Sequence, residues 1–128
     1  METLITNGIR VCVETSYQPD YSNPDESKFI YAYQITIDNL STSTVQLLRR
    51  HWIIVESTGI SREVAGDGVI GQQPVLQPGE THQYVSWCPL QTSFGKMYGS
   101  YDMINLTSQE LFKVQIPEFR LIAPFVLN

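Results

Sequence analysis

Apolar and polar residues alternate along much of this chain with a period of two. Ile9, Val11 and Val13 interleave with Arg10, Cys12 and Glu14. Tyr31, Tyr33, Ile35 and Ile37 interleave with Ala32, Gln34, Thr36 and Asp38, and Phe112, Val114 and Ile116 with Lys113 and Gln115. Successive side chains of a β-strand point to opposite faces, so this pattern marks strands with one buried face. Turn-forming clusters separate the runs: DNLSTST from Asp38, STGIS around Gly59, TSFGK, NLTSQ, and Pro78-Gly79, which suits a type II turn. No segment sustains a helical period. The pattern predicts strands at 9–15, 28–38, 44–57, 60–66, 80–87, 96–104 and 110–116, with a short extended tail at 119–124. Many short strands with regular turns predict a single antiparallel β-sandwich, with a closed barrel as the second choice. The acidic segment 16–27, SYQPDYSNPDES, reads as a long exposed loop.

One predicted strand departs from simple alternation. LLRRHWIIVES is apolar on both faces from Trp52 to Val55; Arg50, Trp52 and Ile54 share one side, and Arg49, His51 and Ile53 the other. Such a strand is either covered on both sides or carries a bulge near Arg50. A face that meets a partner is the competing reading, since Arg and Trp are enriched at binding hot spots. A large aromatic residue in such a run belongs to the core first of all.

The segment VAGDGVIGQQPVLQPGE contains Gly66-x-Gly68-x-x-Gly71, the spacing of a dinucleotide-binding fingerprint. That chemistry needs a helix after the glycines, whose N-terminal N–H groups face the pyrophosphate. Pro74, Pro78 and Gly79 follow instead, and proline inside a helix removes a donor and clashes. Gln72 and Gln73 also stand where a P-loop needs Lys and Ser/Thr. Asp67-Gly68 fits the tip of a two-residue hairpin with φ > 0 at both positions, with Gly66 and Gly71 easing bulges or close backbone approach.

Composition narrows the function classes. At 128 residues the chain is read as one domain spanning 1–128. Its net charge of −5 argues against a nucleic-acid partner. No apolar run suggests membrane insertion, and an N-terminus carrying Glu2 is unlike a signal peptide, so the expected location is cytoplasmic. Cys12 and Cys88 are then expected as free thiols. Neither the cysteines nor His51 and His82 have metal-ligand spacing. Asp67, Glu63 and Glu80 are the nearest candidates for a hard cation, which needs clustered oxygen ligands. No nucleophile–base pair is evident, so no catalytic residue, metal ligand or cofactor is assigned.

The order of VQLLRRHWIIVES, VAGDGVIGQQPVLQPGE, YVS, GKMYGSYDM and FKVQIPEFRLIAP resembles that of the ApaG family, from about residue 9 to the C-terminus. The resemblance implies an immunoglobulin- or fibronectin type III-like fold and no enzymatic activity. It implies a link to cobalt and magnesium tolerance, as in the bacterial members. Protein binding is the role proposed for related domains at the ends of some F-box proteins and in a polymerase-delta-interacting protein. The family's glycine motif, connected with pyrophosphate-type binding, maps onto Gly66, Gly68 and Gly71. The sequence departs at SWCPL, where the family commonly has glycine in place of Trp87. The expected function is a non-enzymatic protein-interaction module with a protein partner. The alternative is a small-ligand or divalent-cation-responsive protein of cobalt/magnesium homeostasis. Gly66, Asp67, Gly68, Gly71, Gln72 and Gln73 are the candidate partner- or anion-binding residues; no oligomeric state is assigned.

Overall fold

The computed structural model describes residues 1–127. Its strands are β1 (Glu2–Thr6), β2 (Ile9–Tyr17), β3 (Phe29–Asn39), β4 (Val45–Glu56), β5 (Ser61–Asp67), β6 (Val75–Leu76), β7 (Thr81–Leu90), β8 (Phe94–Asn105) and β9 (Leu111–Ile122). They form two antiparallel sheets, ordered β1-β2-β3-β7 and β5-β4-β8-β9, with β6 pairing to β4. The fold is the antiparallel β-sandwich that the alternation predicts. The core lies between the sheets and is built from the alternating sets: Ile9, Val11 and Val13 on β2, Tyr31 to Ile37 on β3, and Val114 and Ile116 on β9.

Several elements differ from the sequence expectation, the unexpected two-residue β6 among them. β1 was not expected; it pairs with β2 through a hairpin whose tip, Asn7-Gly8, has φ of 51° and 78°. That is the two-residue turn with both φ positive, for which Asn-Gly is the strongest short signal. β9 does not stop at 116 but continues to Ile122. Pro117 is absorbed in an irregularity where the register with β8 shifts between Met97 and Gly99, the kind of place where a strand tolerates proline. Segment 16–27 is more ordered than a plain loop. It continues β2 to Tyr17 and then makes short 3-10 turns at Pro19–Tyr21 and Pro24–Glu26. The Ser22 hydroxyl ties it down, donating to the Gln18 carbonyl and accepting from the Ile30 N–H.

β4 is not covered on both faces; it carries a bulge. Its register against β8 shifts between Leu47 and Arg49, so Leu48 is the extra residue. Val45 and Leu47 face inward before the shift, and Trp52 and Ile54 after it. Trp52 is 2% exposed and packs edge-on against Tyr33 and Phe119, at 5.5 and 5.8 Å between ring centroids. Trp87 is 48% exposed on the outer face of β7, with Tyr21 edge-on at 5.1 Å.

One long side of the sandwich is closed and the other open. On the closed side the Asn7 amide donates to the Lys113 carbonyl at 3.0 Å, and the Gln115 N–H to the Thr6 hydroxyl at 3.3 Å, joining β1 to β9. On the other side the edges of β5 and β7 border a cleft. Buried polar side chains are satisfied rather than left over. Asn39 donates to the Ser43 and Leu76 carbonyls at 2.8 and 2.9 Å, and Glu56 accepts from the Gln91 and Thr92 N–H groups and the Thr92 hydroxyl.

The two tryptophans should therefore differ sharply. Trp52→Ala should cost about 3–5 kcal/mol, the range for deleting a buried aromatic. Trp87→Ala should cost about 1 kcal/mol or less, the worth of one aromatic pair. Urea unfolding followed by circular dichroism measures both.

Candidate functional site

The glycine segment lies at the hairpin that leaves β5, and the turn is not where Asp67-Gly68 predicts it. Asp67 stays in β5 opposite Arg49, and Arg49 Nη1 lies 2.7 Å from Asp67 Oδ1. The Gly68 N–H still bonds to the Leu48 carbonyl at 2.8 Å, so the ladder runs one pair further. The tip is Ile70-Gly71, with φ of 48° and 72°, closed by reciprocal N–H···O bonds of 2.8 and 3.0 Å between Val69 and Gln72. Val69 is buried in the core and Ile70 is 60% exposed. The Leu48 bulge decides the position. Its carbonyl accepts from both Gly68 N–H and, at 3.0 Å, the Gln73 side-chain amide. The Gln73 carbonyl in turn accepts from the Gln46 amide at 3.1 Å.

Each motif glycine serves a different local need. A Cβ on Gly68 would collide with the Gln72 carbonyl, and its φ is 64°. Gly71 needs only its positive φ, because nothing lies near its missing Cβ. Gly66 makes room for a side chain: a Cβ there would lie 3.0 Å from Arg50 Nη1. Through that gap Arg50 Nη1 donates to the Asp67 and Gly68 carbonyls, both at 3.1 Å. Carbonyl oxygens thus converge on a cation, while the N–H groups of Gly68, Val69 and Gln72 are engaged within the hairpin and its anchor. A pyrophosphate cradle has the opposite polarity. Of the candidate residues, the structure brings Gly66, Asp67 and Gly68 together around Arg50, ties Gln73 to Leu48, and sets Gly71 and Gln72 at the tip.

Arg50 belongs to the site although the sequence pattern did not single it out. It borders a cleft of about 250 Å³ between the open edges, with Val64 and Arg62 of β5, Ser86 and Trp87 of β7, and Trp52 and Met97 as apolar walls. The only hint in the sequence was its place beside Trp52 on one face of β4. Arg62, at the other end, faces Glu56 at 3.4 Å and donates to the Pro89 carbonyl. Behind the cleft, burial pushes the Tyr33, Tyr84 and Tyr101 phenols up, and the nearby Arg50 opposes the rise only in part. The Tyr84 and Tyr101 hydroxyls share a hydrogen bond. Burial likewise lifts Tyr31 to about 12 and the Cys88 thiol to about 11.

The remaining candidates are dispersed. Glu63 sits 3.6 Å from His51, Asp67 pairs with Arg49, and Glu80 accepts the Gln77 N–H at 2.7 Å. Among the described residues no group of three His, Cys, Asp or Glu is placed to hold a metal ion. His82 is half-buried on the same face of β7 as Tyr84, with ring centroids 6.1 Å apart, and burial lowers its pKa. Cys12 and Cys88 are free thiols, half-buried and buried. Among the described residues no helix is long and apolar enough to cross a membrane.

Comparison with known proteins agrees with the sequence resemblance. A family model described as the ApaG domain matches residues 19–105. Protein ApaG of Brucella anthropi is 47% identical over 97% of this chain and 95% of its own. Protein ApaG of Bdellovibrio bacteriovorus is 45% identical over 93% of each. A crystal structure described as the putative ApaA protein from Bordetella pertussis superposes with a TM-score of 0.88 at 40% identity, covering 91% of this chain and 94% of that one.

The glycines should separate on substitution. Gly71→Ala should cost about 1–2 kcal/mol, the cost of a left-handed L-residue. Gly68→Ala should cost at least about 1 kcal/mol more, because moving the Gln72 carbonyl breaks its bond with Val69. Denaturant midpoints distinguish the two. The phenols set an alkaline limit. A phenol whose folded pKa is raised contributes stability that is whole below its unfolded value of about 10. Absorbance at 295 nm should therefore show Tyr31, Tyr33, Tyr84 and Tyr101 ionising late, with stability falling as pH rises from about 10 towards about 12.

Proposed function

The chain belongs to the ApaG family, and from that premise we propose that it is a non-enzymatic protein-interaction module of the cytoplasm, with the 66–73 hairpin as a contact surface for a protein partner. One observation carries this reading. Ile70, β-branched and exposed, occupies a left-handed conformation at the hairpin tip. Asn or Gly fits that position better, and a β-branched residue there is a conformational outlier. Strain of this kind persists where a residue is retained for what it touches. An apolar side chain held out on a rigid hairpin, its base pinned to β4, is a preorganised contact. Free thiols at Cys12 and Cys88 accord with a reducing compartment.

The test is to capture a partner from a lysate of the native host on the immobilised chain and then compare Ile70→Asn. The variant should be more stable than the parent by up to about 1 kcal/mol, through relief of strain. It should release the captured partner. A stabilised variant that holds its partner with full affinity removes the hairpin from the interface.

A further inference from the structure

The two edges that border the open cleft are not equivalent. Bonds exchanged between Asn39 and the 79–80 turn set the alternation on β7, so Gln83, Val85, Trp87 and Pro89 face away from β3. Pro89 has no N–H, and Arg62 occupies its carbonyl, which blunts this edge. On β5 the bonds Gly68 N–H to Leu48 and Glu56 N–H to Ile60 fix the alternation at both ends. Arg62, Val64 and Gly66 therefore turn their backbone groups to β4, and Ser61, Glu63 and Ala65 turn theirs outward. Among the described residues those outward groups make no hydrogen bond. The side chains alternate in the opposite sense. Arg62 and Val64 lean over the cleft, and Gly66 leaves Arg50 uncovered there.

Charge distinguishes the two ends of the edge. Arg49 and Arg62 each face a carboxylate, whereas Arg50 forms no ion pair among the described residues. Its Nη1 holds two carbonyls at the Gly66 end of the cleft, and Val64 with Trp52 and Met97 supplies an apolar wall beside it. An occupant that completes both features carries a carboxylate next to Arg50 and an aliphatic side chain over Val64. These positions are two residues apart along one face of a strand.

We propose that the free edge of β5 receives an extended segment of a partner protein, added antiparallel as a further strand, with an acidic residue opposite Gly66 and an aliphatic residue two positions later opposite Val64. Main-chain bonds to Glu63 and Ala65 hold the segment, and the two inward side chains select it. Running antiparallel, the segment enters from the hairpin end, so its first residues pass the exposed Ile70. The inference rests on the interaction-module reading and gives the partner a chemistry.

The probe is a capped heptapeptide of threonines with aspartate at its third position and isoleucine at its fifth. Titrated into the isotope-labelled protein, it should produce saturable amide shifts centred on Glu63 and Ala65. Lysine in place of the aspartate should weaken binding by about tenfold or more, the loss of a charge-assisted contact. N-methylation at the fourth and sixth threonines, which meet Ala65 and Glu63, should abolish binding without touching the protein. Ala65→Pro should do the same with the fold intact by circular dichroism, since that N–H bonds to nothing and an edge strand tolerates proline. The proposal is overturned by no saturable binding, by shifts centred elsewhere, or by equal binding of the lysine or N-methylated peptide. It is equally overturned if the edge is occupied by a second copy of the chain, seen as a dimer in light scattering that Ala65→Pro dissociates. A captured partner that survives Ala65→Pro but is lost with Ile70→Asn leaves the module reading intact and removes strand addition alone.

Discussion

The slip of one residue at Leu48 governs the rest of this structure. Without it the inward positions of β4 would continue from Val45 and Leu47 to Arg49, His51 and Ile53, and two ionisable groups would be driven into the core. Desolvating them without partners would be costly. With the slip, Trp52 and Ile54 take the core and Arg50 reaches the cleft. The same residue anchors the glycine hairpin, because its carbonyl accepts from both Gly68 and Gln73. Core parity, hairpin position and the identity of the cleft arginine thus depend on one backbone irregularity. Bulges are known to re-aim side chains in this way.

Much of the fold was legible because burial is one-sided and the side-chain period of a strand is two. β2, β3 and β9 announce themselves through Ile9 to Val13, Tyr31 to Ile37 and Phe112 to Ile116. β1 escaped that test, since Leu4 and Ile5 are both exposed and no apolar face repeats, although Asn7-Gly8 carried a signal in its turn chemistry. Pro117 marked a false end to β9, because proline reads as a break unless a bulge is there to receive it. The candidate site was legible only in part. The glycines identified the hairpin, but Asp67-Gly68 is a stronger local turn signal than Ile70-Gly71, and tertiary anchoring at Leu48 overruled it. Arg50 could not be chosen over Arg49 from the sequence, because the choice depends on the bulge.

A familiar glycine spacing has here been put to a different use. In a nucleotide site the glycines let backbone N–H groups approach a phosphate. In this chain one glycine admits an arginine, one avoids a carbonyl and one accommodates a left-handed turn. The polarity is reversed, with carbonyls aimed at a guanidinium. Spacing alone does not carry the chemistry; the element next to the glycines, helix or hairpin, determines which backbone groups are presented.

The seam between β1 and β9 joins the first and last strands of the sandwich through Asn7, Thr6, Lys113 and Gln115. On the ribosome these contacts cannot form until β9 has been synthesised and has cleared the exit tunnel. Until then β8 lacks its outer neighbour, and the apolar faces of β2 and β8 stay uncovered along that flank. Topologies that rely on distant strand pairings fold slowly, and uncovered strands are prone to misassembly in the interval. The nascent chain is therefore most exposed to chaperones and proteases in the interval when nearly all of its core residues are present but the strand that seals them is not.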